Sequence, residues 1–442
     1  MSNMYLSGED TLRIHEYALE VLEKTGVKLE HKEARKLLLD AGGKEDGDRV
    51  LIPRKLVEEM LEYNISEVSM HDRNGKPAML LAADGKTHYG SGSDALYQID
   101  IETNEKRFST LQDIGNNIRL LDKLDMFDFV MSTGVPQPGE VPKELLYKRV
   151  FETMANNTTK PIITTLTTLH DIKEIHKSAI EISGEQIREK PYFLAYIEPI
   201  SPLIMDNEGT DRLLYCAEHK IPFCYAAGAN CGSGAPVTLE GGVIQGTAEF
   251  LGGYVIAKLK NPKALTVYGA NTSAIDPNTM LVRYGCPEWF KTVAVYAEMG
   301  RFYNMPSWGT GGCTDAVKMG PMAAWEAQQG VSIALESGVS IVHDVGYYDH
   351  GRIYDPKMLV LVNEIIKRER FIRRDLNLDK SYIKEATDVI DEVARTEGVI
   401  YPVHMHTAKY LRSSLYVLPK YLRANKDYTE SLKEEVKRLW AT

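Results

Sequence analysis

Ser340-Ile341-Val342-His343-Asp344-Val345-Gly346 is a short β-branched run that ends in a polar pair and a glycine. A run of this kind followed by a helical pattern reads as a buried parallel strand and its crossover helix. The same unit recurs upstream at Thr87 to Gly90, Phe127 to Thr133, Pro161 to Thr168, Tyr192 to Glu198, Pro222 to Ala229, Ala264 to Asn271 and Pro306 to Gly312. Eight units between Thr87 and Gly351 have the period of an α/β fold, the (β/α)8 TIM barrel. In that fold the chemistry sits on loops at the carboxyl ends of the strands.

The flanks differ in character. Residues 1–85 are expected to form a helical cap, with helices from Asp10 to about Thr25, Lys32 to Ala41 and Pro53 to Tyr63. Asp10 is expected to cap the first of these and Pro53 to open the third. Val68 to Ala83 alternates around Arg73-Asn74-Gly75-Lys76, a hairpin signal for a small antiparallel element at the barrel's bottom or side. Residues 86–375 are assigned to the barrel. Residues 376–442 form a helical C-terminal extension, with helices at Lys380 to Thr396 and Lys409 to Trp440. Helical extensions at both ends fit a homo-oligomer.

Net charge is -10 over 442 residues, with both signs spread along the chain, so no basic stripe offers a site for nucleic acid. The polar start MSNMYLSGED and the absence of a long uncharged apolar run predict a cytoplasmic protein with no membrane segment. The five cysteines show neither a CxxC pair nor a regular spacing, which argues against a disulfide framework. Cys231 and Cys313 fall just after predicted strands; they read as small loop residues, or as zinc ligands if a third soft ligand joins them.

The strand ends carry the chemistry. They supply Tyr89 to Tyr97 after the first strand, Tyr196 and Glu198 after the fourth, and Tyr268 to Asn271 after the sixth. The seventh gives Trp308 to Gly312 and the eighth His343 to His350. Aromatics crowd this mouth and basic residues are few, which disfavours a phosphate-bearing substrate although Gly309 to Gly312 has the glycines for one. Tyr and Trp faces suit a soft cation, each contributing roughly 0.5 to 2 kcal/mol through the ring quadrupole. A tetraalkylammonium has no hydrogen bond to donate, so shape, ring faces and a carboxylate such as Glu198 or Asp344 must recognise it. Single tyrosines at such positions also serve as packing or rim residues, and a strand-end histidine as a structural hydrogen-bond partner.

Gly90-Ser91-Gly92-Ser93 before Ala95-Leu96-Tyr97, and Gly309-Thr310-Gly311-Gly312 before Thr314-Asp315-Ala316-Val317-Lys318, resemble the trimethylamine:corrinoid methyltransferase superfamily. Ala323-Ala324-Trp325-Glu326-Ala327, Pro356 to Ile366, and His404-Met405-His406-Thr407 before Tyr410-Leu411-Arg412 continue the likeness in order, nearly to Leu415. The resemblance implies a cytoplasmic barrel enzyme of methylamine metabolism that hands a methyl group to the cobalt of a separate corrinoid protein. Trimethylamine enzymes of that family contain pyrrolysine. Every residue here is a standard amino acid, which points to the non-pyrrolysine branch acting on betaines such as glycine betaine.

Chemistry agrees with that branch. A quaternary nitrogen is already activated, since loss of one methyl expels a neutral tertiary amine, so no catalytic acid, base or nucleophile is expected from the protein. Its task is placement in a site that excludes competing water. The expected cage is Tyr89, Tyr97, Trp308, Tyr347 and Tyr348, with Glu198 beside the ammonium and His343 plus the Gly311 and Gly312 amides on a substrate carboxylate. No metal site and no tightly bound cofactor are expected, and without a DxHxxG segment the corrinoid (cobalamin) must come from a cognate partner protein. Alternatives are a barrel lyase or hydrolase using His343 and Asp344, betaine-to-folate transfer without cobalt, and a non-enzymatic betaine-binding or corrinoid-docking protein.

Overall fold

The computed structural model describes residues 4–423 and 427–441. Eight parallel segments, called here the first to eighth barrel strands, close into a ring: His88–Ser91, 129–130, Ile162–Thr164, Phe193–Ile197, Phe223–Ala227, Thr266–Ala270, Trp308–Thr310 and Ile341–Val345. Ladders join the third to sixth strands in order, and the seventh to the eighth to the first. Single parallel bridges complete the circle, Gly90 to Phe129, Val130 to Ile162 and Tyr268 to Ser307.

A helix follows each strand: Leu111–Lys123, Leu146–Asn157, Leu169–Ser183, Asn207–His219, Leu239–Lys260, Pro287–Phe302, Pro321–Ser337 and Pro356–Ile372. Their starts are written in the sequence. Thr110 with Asp113 and Thr168 with Asp171 close capping boxes, and three helices open on a proline, whose missing N–H would be unpaired there anyway. The chain is thus a (β/α)8 barrel with additions at both ends.

Alternation along the strands decides what faces the barrel axis. Phe129, Met131, Ile163, Leu194, Cys224, Ala226, Val267, Trp308 and Ile341 point inward and form one buried cluster with Val68, Met70, Met79 and Leu81. Those last four belong to the expected hairpin, Glu67–His71 and Pro77–Ala82. The hairpin sits at the amino-terminal end of the strands. His71 N donates to Pro191 O (2.8 Å), Arg73 N to Thr159 O (2.9 Å) and Ser340 Oγ to Ala82 O (2.7 Å), all just before strands begin. It is a plug that closes the barrel floor and leaves the other end open. Leu81→Ala is expected to destabilise the chain by about 2–5 kcal/mol, as for other buried leucines. Equilibrium urea unfolding measures this, and a loss under roughly 1 kcal/mol would mean the hairpin only covers the floor without packing into it.

The amino-terminal helices Gly8–Lys24, Lys32–Asp40 and Arg54–Leu61 cover the side of the barrel over Leu239–Lys260. That helix is buried along almost its whole length, which explains why it is apolar all round rather than on one stripe. Ser7, not Asp10, is the N-cap of the first helix; Asp10 closes its capping box, with Asp10 N bonded to Ser7 Oγ at 3.1 Å. Pro53 caps the third helix instead of lying in its first turn. Three short strands, Val27–Leu29, Lys44–Asp46 and Arg49–Leu51, form a sheet that Ile204–Met205 extends.

In the C-terminal extension, Lys380–Arg395 is helical as expected. The stretch from Lys409 to Trp440 is not one helix: Met405–Ser414 ends before Pro419, whose missing N–H cannot continue a helix, and Tyr428–Ala441 starts anew. Residues 424–426 of that stretch lie outside the described residues. Leu432, Val436 and Leu439 pack the last helix against Leu111–Lys123 and Pro356–Ile372. Among the described residues no helix is long and apolar enough to cross a membrane.

Candidate functional site at the barrel mouth

A cavity of about 780 Å³ opens at the carboxyl ends of the strands. Two aromatic groups face it. Tyr196 stacks on Trp308 with ring centroids 5.0 Å apart and planes 27° from parallel, and the His343 ring lies 4.2 Å from Trp308. In the second group, Tyr284 lies 4.4 Å from Trp289 and meets Tyr347 edge-on at 5.9 Å. Ring faces packed in this way are held without help from a ligand, so the cavity walls are pre-formed.

Carboxylates line the same cavity as these rings. The Tyr196 hydroxyl donates to Glu198 Oε1 and accepts from Asn271 Nδ2 at 2.9 Å, so three strand-end side chains hold one another in line. Glu198 is exposed where it lines the cavity. Enclosure raises its carboxyl pKa above the usual value, against the lowering pull of the Tyr196 hydroxyl and of nearby positive charge. Burial likewise raises Asp94, which lies on the wall beside Ser93 and Tyr147. Tyr196, Tyr284 and Tyr347 are pushed well above ordinary phenols, mainly by desolvation, and therefore stay neutral.

His343 and Asp344 both face the cavity. A regular strand would send one of them outward. Asp344 instead has φ 69°, a left-handed backbone that turns its side chain back into the mouth. Its Oδ2 accepts from Thr310 Oγ1 at 2.8 Å, and its Oδ1 lies 2.6 Å from His343 Nδ1. That short contact has ion-pair distance but not hydrogen-bond alignment, so both His343 ring nitrogens remain without a hydrogen-bond partner among the described residues although the side chain is buried. An unsatisfied imidazole in a cavity wall is a ready contact for a polar ligand.

Of the residues expected at the site, Glu198, Trp308, His343 and Tyr347 line the cavity together. The others do not line it. Tyr89 points away from the barrel axis, where its hydroxyl donates to Val331 O at 3.1 Å and Arg370 covers its ring. Tyr97 lies in a hairpin outside the mouth, packed on Phe108 at 4.9 Å. Tyr348 follows Tyr347 and so faces the opposite way, toward Met319 and Met358. Gly311 N donates to His343 O at 3.2 Å, and Gly311 and Gly312 back onto Val342, Val345 and Val362 on the helix side.

These glycines serve packing. A Cβ on Gly311 would lie 3.2 Å from Gly330 O, and one on Gly92 would meet the Tyr347 ring at 2.5 Å. Tyr284 and Trp289 were not legible as site residues, because they lie beyond the strand end; the long connection from Asn271 to Cys286 is the signal that points to them. Arg212 comes from a helix, Asn207–His219, and no strand-end reading reaches it. Cys231 and Cys313 approach only backbone and hydroxyl groups, and among the described residues no three ligating side chains converge.

A barrel with a preformed aromatic and acidic cavity at its catalytic end is the architecture of a small-molecule enzyme. A family model described as trimethylamine methyltransferase (MTTB) matches residues 2–419, and the chain belongs to that family. It is therefore a methyltransferase. The chain is 27% identical over 441 residues to trimethylamine methyltransferase MttB of Desulfitobacterium hafniense (strain DSM 10664 / DCB-2), covering 97% of this chain and 88% of that one. It is 25% identical over 419 residues to the glycine betaine methyltransferase of Desulfitobacterium hafniense (strain Y51), covering 93% and 85%. Among solved structures it resembles the Methanosarcina barkeri monomethylamine methyltransferase (MtmB), with a TM-score of 0.52 at 12% identity over 98% of this chain and 91% of that one. That likeness concerns the fold.

Proposed function

We propose that the protein removes a methyl group from a quaternary amine, glycine betaine or a related betaine, and transfers it to the Co(I) of a partner corrinoid protein. The observation that carries this reading is the cavity itself: Tyr196, Tyr284, Trp289, Trp308 and Tyr347 line it together with Glu198 and Asp344. A permanently charged, non-donating ammonium matches such a wall better than any anion does. The absence of pyrrolysine from the sequence supports a quaternary over a tertiary substrate.

In this reading Tyr196, Tyr284 and Tyr347 hold the ammonium by ring faces, Trp308 backs the Tyr196 ring, and Glu198 balances the charge. Asn271 and Glu198 fix the Tyr196 ring, which in turn aims the N-methyl group. Positive charge leaves the nitrogen as the methyl departs, so contacts that orient serve the reaction better than contacts that stabilise the cation. The corrinoid supplies, when its protein is bound, a two-electron nucleophile for the methyl group. The mouth fits a protein-borne group of that kind: Ile200, about half exposed, lines the opening, exposed Val237 and Met280 stand on the connections that follow the fifth and sixth strands, and exposed Trp325 lies in the first turns of Pro321–Ser337.

The test is demethylation of a panel of quaternary amines and trimethylamine with reduced cobalamin, watching for methylcobalamin. Turnover of at least one betaine is expected. Turnover of trimethylamine alone, or of nothing, would sink the proposal.

A further inference from the structure

We infer that Arg212 forms an anion subsite in this cavity, selecting substrates that carry a carboxylate within a few atoms of the quaternary nitrogen. The inference rests on the proposed function and deepens it by naming the residue that holds the carboxylate of a betaine. Arg212 lies in the second turn of Asn207–His219 and lines the cavity beside Thr165, Leu166 and Thr167. Its Nε donates to Glu208 O at 3.0 Å and its Nη1 to Leu166 O. Two backbone acceptors thus fix the guanidinium plane, while no carboxylate among the described residues stands within ion-pair distance of it.

The contrast with its neighbour is direct. Arg352, the other arginine of the cavity, is held by Asp349 at 2.6 Å and is already paired. A fixed arginine with donor capacity left over, lining a cavity, is a ready site for a carboxylate, because the planar fork binds two oxygens with little further loss of freedom. Glu198 lines the same cavity and feels the Arg212 charge without touching it. One cavity therefore presents an unpaired positive group and a carboxylate amid ring faces, held apart. The ligand complementary to that pair carries both charges, also held apart. This arrangement replaces Gly311 and Gly312, which do not line the cavity and of which Gly311 N is bonded to His343 O, as the anchor for a substrate carboxylate.

The experiment is calorimetric titration of the full chain with glycine betaine and with tetramethylammonium chloride, which needs no corrinoid. Wild type is expected to prefer glycine betaine by roughly tenfold or more, the contribution of a charge-assisted pair. Arg212→Gln should bring the two affinities to within about threefold, chiefly by weakening the betaine, and Arg212→Lys should fall between, keeping the charge and losing the fork. Thermal melting reports whether each variant is folded. A folded Arg212→Gln protein that keeps the full preference overturns the subsite. So does a wild type that binds tetramethylammonium as tightly as betaine, an outcome that leaves the cation cage standing. A wild type that binds neither ligand overturns the proposed function and the subsite together.

Discussion

Glu198→Gln is expected to raise KM for a betaine by roughly thirtyfold or more while changing kcat far less, because truncating one member of an enclosed charge pair costs about 2–5 kcal/mol of binding. The split follows from the reaction. Attack on the methyl group removes positive charge from the nitrogen, so the carboxylate that holds the ammonium acts mainly on the ground state. Its pH dependence carries the same signature. Enclosure raises the pKa of Glu198 above the ordinary carboxylate range. A bound cation favours the ionised form, so binding lowers that pKa and releases a proton. Affinity should therefore strengthen as pH rises through the raised pKa of the free enzyme, then level off. At lower pH it should weaken until the pKa of the complex is passed. Asp94, also raised by burial, acts in the same direction. In Glu198→Gln most of the slope should vanish, leaving the part due to Asp94. Titrations with tetramethylammonium across pH 4 to 8, roughly the span of shifted carboxylates, separate the two. An unchanged slope in the glutamine variant assigns the charge balance elsewhere.

The barrel was legible because its signals are local. Each strand is a short apolar run and each helix a periodic one, and the eightfold alternation leaves little choice of topology. The mouth was legible only by position. Tyr89 and Trp308 both sit near strand ends, yet alternation sends Trp308 inward and Tyr89 toward Val331. Phase of that alternation is not visible in a run buried on both faces, since inward and outward residues are equally apolar. Asp344 shows the converse limit: a single left-handed φ brings both members of His343-Asp344 into the cavity, which no period encodes. The glycine runs misled for a related reason. Gly311 and Gly312, whose sequence suggested amides for a ligand, permit close packing of strand against helix, as Gly92 does against the Tyr347 ring. Arg212 and Trp289 reach the site from helices, whose surface patterns carry no mark of a cavity.

Trp308→Ala is expected to cut kcat/KM by about 100-fold, since loss of a positioning contact that shifts a reacting group by an ångström has that effect. It is also expected to destabilise the fold by about 3–5 kcal/mol, as for other buried tryptophans. Both losses come from one position. Trp308 is fully buried, and below it the side chain belongs to the cluster that includes Met70, Leu81 and Ile341, so the ring joins the barrel's plug to its mouth. Above, it backs Tyr196 at 5.0 Å and His343 at 4.2 Å. Removing it opens a void that those two rings can tilt into, and Tyr196 would then leave its line with Glu198 and Asn271. The conservative Trp308→Phe separates the roles. A phenyl ring fills most of the void and keeps a face under Tyr196, so stability should largely return while activity returns only in part. Measurements belong at a temperature below the melting point of the alanine variant, with reduced cobalamin in excess so that methyl placement limits the rate. An alanine variant that is folded at that temperature and turns over within threefold of wild type would remove Trp308 from the site, and with it the stacked wall on which the aromatic cage depends.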